Sequence, residues 1–124
     1  MKTIYFPGNS LVEEDKIISK IIPRLKKSLT DFRFIQFDPA EFDNFPQNLI
    51  ILDTATGIKK TTVFNNLSHF ERSKRVTVHD FDLPIFLGLS LKLKKIRKIK
   101  IIAVPVKISP EKAEAEISAI INGI

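Results

Sequence analysis

The stretch from Lys2 to Leu25 sets a short apolar strand, a tight turn and an amphipathic helix in immediate succession. Lys2-Thr3-Ile4-Tyr5-Phe6 has the β-branched and aromatic content of a buried strand, and Pro7-Gly8-Asn9-Ser10 has turn chemistry. Glu13-Glu14-Asp15 then opens a helix with acids at its positive end, and Ile17, Ile18, Ile21, Ile22, Leu25 and Leu29 recur at helical spacing. The helix is expected from about Glu13 towards Ser28, with Pro23 forcing a kink near Ser19 or an earlier end. A strand, turn and helix at the start of a chain that continues with strand and helix signals is the usual opening of an open α/β sheet. Ligands of such sheets collect beyond the carboxyl ends of the strands, so Asp15 is delivered to the mouth of the unit.

The rest of the chain repeats the pattern. Phe32 to Phe37 reads as a strand, and Asp38 to Gln47 as a loop whose Phe42 and Phe45 are better explained as core than as a docking patch. Asn48-Leu49-Ile50-Ile51-Leu52-Asp53 is a nearly unbroken apolar run ending in a carboxylate, which suits a central parallel strand buried on both faces. Thr54 to Gly57 should then turn, Thr61 to Asn65 add a short edge strand, and Arg75 to Asp80 form a strand leading to His79. Leu83 to Lys95 is expected as a helix with Pro84 in its first turn, and Lys98 to Val106 as the last strand. Ser109-Pro110-Glu111 caps a final helix whose buried face is Ala113, Ile117, Ile120 and Ile121. The expected fold is a three-layer α/β sandwich: a mostly parallel, twisted central sheet of about five strands with helices on both faces.

Composition narrows the function classes. The 124 residues suit one domain spanning residues 1–124, and 44% hydrophobic with 27% charged residues is ordinary for a soluble globular protein. No run approaches the roughly 18 apolar residues that span a membrane, and the amino end lacks signal-peptide regions, so the expectation is a cytoplasmic protein with no membrane partner. Without cysteine there is no disulfide, no thiolate nucleophile and no thiolate zinc site, so any metal must be held by oxygen and imidazole nitrogen. The net charge of +6 is concentrated at Lys92, Lys94, Lys95, Arg97, Lys98 and Lys100. No aromatics interleave with that run to stack bases, so a solvated surface is favoured over nucleic-acid binding.

If the first strand, the 48–53 strand and the 75–80 strand are parallel neighbours, Asp15, Asp53 and His79 meet at one edge. Two hard oxygens and one imidazole suit a borderline divalent metal such as nickel or zinc, with coordination positions left open. Each residue also has a bland explanation: Asp15 favours the helix dipole, Asp53 terminates a strand, and His79 is a satisfied turn histidine.

Around these residues the chain resembles the nickel-iron hydrogenase maturation endopeptidases. The family's glycine-containing turn, Leu and acid pair match Gly8-Asn9-Ser10-Leu11 and Glu14-Asp15, its strand-end aspartate matches Ile51-Leu52-Asp53, and its His-Asp pair matches His79-Asp80. The order matches over nearly the whole chain. The resemblance implies that Asp15, Asp53 and His79 are the metal ligands and carry the catalysis, with Gly8, Asn9 and Asp80 shaping the site or binding substrate. It implies a peptidase that removes the carboxyl-terminal extension of a hydrogenase large-subunit precursor, the nickel arriving with that substrate and zinc or cadmium able to substitute. Family glycines are replaced by Phe6, Lys16 and Ile18, which are expected to narrow or reshape the site. The alternative is a non-catalytic relative that serves as a metal- or partner-binding assembly module.

Overall fold

The computed structural model describes residues 2–7, 16–37, 46–55, 57–65 and 98–123. Their elements, in chain order, are β1 (Lys2–Pro7), α1 (Lys16–Ser28), β2 (Phe32–Phe37), β3 (Asn48–Ala55), β4 (Thr62–Phe64), β5 (Lys98–Pro105) and α2 (Pro110–Asn122). The strands form one sheet in the order β2-β1-β3-β5-β4. β1, β2, β3 and β5 are mutually parallel, and β4 closes one edge antiparallel to β5. Among the described residues this is the mostly parallel sheet of about five strands that the sequence predicts.

Helix α1 buries Ile17, Ile18, Ile21, Ile22 and Leu25, and Leu29 just beyond it is buried too. It passes through Pro23 without ending there. Pro23 is exposed and cannot donate to the Ser19 carbonyl, a loss of about 3 kcal/mol in a helix interior. Burying Leu25 and Leu29 beyond it returns roughly 1.5 to 3 kcal/mol each, so continuing the helix is favoured. The final helix follows expectation at its start: Ser109 is the N-cap, its hydroxyl accepting from the Lys112 amide at 3.3 Å, with Pro110 as the first helical residue. Ala113, Ile117 and Ile121 are buried, whereas Ile120 is only half-buried.

The period-two alternation of the strands makes two cores. On one face Ile4, Phe34, Leu52, Ile102 and Val104 pack with the apolar faces of α1 and α2. On the other, Phe37, Leu49, Ile51, Ala55, Ile99, Ile101 and Ala103 form a second cluster, with Tyr5 edge-on to Phe37 at 6.2 Å between ring centroids. Both described helices lie against the first face. The second is buried as well, since Ile51 and Ile101 have 0% exposure, so the sheet is an interior layer.

Two long-range links hold α2 in place. Arg24 and Ser28 of α1 both donate to the Glu114 carboxylate, at 2.7 and 3.0 Å. The Thr61 amide, at the start of β4, donates to Glu116 at 2.8 Å. Each of these bonds holds its carboxyl below the ordinary glutamate value: Arg24 chiefly for Glu114, the Thr61 backbone chiefly for Glu116.

One boundary differs in a way that matters. The expected turn at Thr54 and Ala55 is strand: Asp53, Thr54 and Ala55 pair with Ala103, Val104 and Pro105 of β5. The ladder to β5 carries the backbone past the carboxylate, so Asp53 lies two residues inside the carboxyl end of β3. The expected strand at 75–80, the helix at 83–95, and Phe42 and Phe45 lie outside the described residues.

Candidate functional site

Strand order decides where a ligand can sit. From β1 the chain passes through α1 to β2 on one side, then crosses to β3 on the other side of β1. The strand order therefore reverses between β1 and β3, and the crevice outside their carboxyl ends is the topological switch point where open α/β sheets bind ligands. Tyr5 of β1 pairs with Ile51, two residues before Asp53, and β1 ends at Pro7, two residues after Tyr5. Asp53 thus lies on the strand beside β1, just beyond the paired position.

Asp53 is completely buried. By alternation it shares the sheet face of Ile51 and Ala55, opposite the α1 and α2 side. Side chains on this face shrink towards the carboxyl end, from Ile51 and Ile101 to Ala55 and Ala103. The Thr54 amide donates to Asp53 Oδ1 at 2.8 Å, which holds the carboxylate in one orientation. A carboxyl group gains nothing from burial in itself, because an ion removed from water is costly unless paired or coordinated. Asp53 sits on the central strand beside the switch point of the sheet.

Of the expected catalytic, metal-ligating and substrate-binding residues, Asp53 alone is described. Asp15, His79, Asp80, Gly8 and Asn9 lie outside the described residues, and among the described residues no three His, Asp or Glu side chains cluster as a metal site. Two expectations about site shape change. Ile18 is a core residue, and Phe6 packs against that same core on the α1 side of the sheet, whereas Asp53 belongs to the other face. Ile18 therefore fills the core instead of narrowing the surroundings of Asp53. Lys98 and Lys100, the described members of the basic run, start β5 at the edge remote from the carboxyl ends. Among the described residues no helix is long and apolar enough to cross a membrane.

A cleft of about 530 Å³ opens beyond the carboxyl ends of β3 and β5, with the register pair Ala55 and Pro105 in its wall and Lys59, Lys107 and Lys112 around it. Sequence reasoning missed it. Lys59 lies far in sequence from Lys107 and Lys112, so no charge run marks the three together.

No family model and no curated protein matches this sequence. The fold does match solved structures. The hydrogenase maturating endopeptidase HybD from E. coli is similar over 99% of this chain and 89% of its own, with a TM-score of 0.60 and 18% identity. An uncharacterized protein from Wolinella succinogenes is similar over 98% of this chain and 92% of its own, with a TM-score of 0.52 and 14% identity. The fold implied by the opening strand, turn and helix is thus the fold observed, and this chain shares it with a hydrogenase maturating endopeptidase along nearly its whole length.

Proposed function

We propose that the protein is a processing endopeptidase that removes the carboxyl-terminal extension of a nickel-iron hydrogenase large-subunit precursor. The observation that carries this reading is Asp53: a fully buried carboxylate beside the switch point of a sheet whose fold is that of HybD. An oxygen donor held by the Thr54 amide fits the hard half of a nickel or zinc ligand set. Asp15 and His79 are its proposed partners, as second carboxylate and imidazole, with Gly8, Asn9 and Asp80 around them. Nickel belongs to the substrate here, held by the substrate's own soft ligands, and would supply a point of anchorage and Lewis acidity when the precursor binds. The chain's own part is to orient Asp53, to exclude water from it, and to present the crevice between β1 and β3 to the incoming backbone. A chain without cysteine leaves thiolate ligands to the substrate.

The test incubates the purified protein with precursor, nickel-loaded or nickel-free, and follows loss of the extension by mass. Cleavage of the loaded form alone, abolished in Asp15→Ala, Asp53→Asn and His79→Ala, is the expected result. Equal cleavage without nickel would sink the metal-directed mechanism, and tight binding of loaded precursor without cleavage would select the assembly-module alternative.

A further inference from the structure

The cleft beyond β3 and β5 has a composition that the proposed metal ligands do not use. Ala55 and Pro105 are buried in its wall, and Ile58, Val106 and Ile108 are half-buried along it. Lys59, Lys107 and Lys112 are exposed around it, and among the described residues no acid lines it. The nearest acids on α2 are engaged elsewhere: Glu111 lies 3.8 Å from Arg24, and Glu116 accepts from the Thr61 amide. Lys112 also acts on Glu116, so its charge is partly offset, and Lys59 and Lys107 contribute most of the cleft's positive character.

We propose that this cleft binds an acidic peptide segment carrying apolar side chains, the flank of the substrate next to the bond that is cut. Three features select a peptide over a free inorganic anion. The lysines come from two segments, Lys59 from one and Lys107 and Lys112 from the other, and are point charges, which suit carboxylates spaced along a chain better than one compact ion. The apolar wall of Ile58, Val106 and Ile108 has use only for a ligand with apolar side chains. The start of α2 is already capped by Ser109, whose hydroxyl takes the Lys112 amide. Position supplies the link to chemistry: Ala55 follows Asp53 by two residues on the same face of β3, about 7 Å along the strand. The cleft therefore opens two residues beyond Asp53, which is buried and does not itself line it. The identification of that peptide as substrate rests on the endopeptidase reading; its binding does not.

The experiment titrates the isotope-labelled protein, without nickel, with a short synthetic peptide alternating valine and glutamate, and reads backbone amide shifts by NMR. Parallel titrations use the same peptide with glutamine for glutamate, and inorganic phosphate. Shifts confined to residues 55–59 and 105–112, far weaker with the glutamine peptide, are expected. The triple variant Lys59→Gln, Lys107→Gln, Lys112→Gln should weaken binding about tenfold, the size expected of three screened ion pairs together. These lysines are exposed, and an unchanged spectrum elsewhere confirms that the variant folds. Equal binding of both peptides, no loss in the triple variant, or shifts outside the cleft overturns the proposal. Displacement of the peptide by phosphate at equal concentration also overturns it, in favour of a small-anion site. Because no cleavage is read, loss of the peptidase reading leaves this result standing, and the reverse.

Discussion

Arg24 on α1 and Glu114 on α2, 90 residues apart in the chain, are joined by a 2.7 Å hydrogen bond from the guanidinium Nε to the carboxylate. Arg24 holds the Glu114 carboxyl below its ordinary value, with Ser28 adding a second donor. A carboxyl whose pKa is lower folded than unfolded contributes fully above the unfolded value and loses that contribution as pH falls through the folded one. Arg24→Ala should therefore destabilise the protein at neutral pH and matter progressively less on acidification below the ordinary glutamate range. Urea midpoints of both proteins across that range check it. Because the pair is largely at the surface, high salt should shrink the difference at neutral pH.

Gly57 has φ of +79° and open space where a Cβ would stand. Gly57→Ala should cost about 1 to 2 kcal/mol from backbone conformation alone. Gly57→Asn should cost less, since Asn tolerates the left-handed region. Thermal melts separate the two, and equal losses would show that sterics, not φ, sets the requirement.

The Ser109 cap predicts a second, independent loss. Ser109→Ala should cost about 1 kcal/mol and Ser109→Asp close to none, because aspartate can accept from the same amide and favours the helix dipole. Chemical denaturation of the two variants is sufficient.

Asp53 separates stability from function. Asp53→Asn keeps an acceptor for the Thr54 amide, so the chain should still fold, as an unchanged backbone amide spectrum would check, while processing of the nickel-loaded precursor is lost. Processing retained in Asp53→Asn would leave the switch point without its proposed ligand.

The local elements were legible from residues near one another in sequence. The period of Ile17, Ile18, Ile21, Ile22 and Leu25 marks the buried side of α1, the run Leu49 to Leu52 marks an interior strand, and Ser109-Pro110 marks the start of α2. These signals depend on backbone propensity and on which side chains leave water, both properties of short stretches. The candidate site was legible only in its residue types: two carboxylates and a histidine following strand signals. Tertiary pairing decided what those signals cannot carry. The ladder between β3 and β5 extended the strand through Thr54 and Ala55. Strand order placed the switch point between β1 and β3 and paired Tyr5 with Ile51, two residues before Asp53. The two sheet faces sent Ile18 to one core and Asp53 to the other side, and Lys59 was brought to the same cleft as the distant Lys107 and Lys112. Each of these depends on contacts between residues far apart in the chain, whose energies arise only when the sheet closes. A sequence read window by window contains their partners but not their pairing.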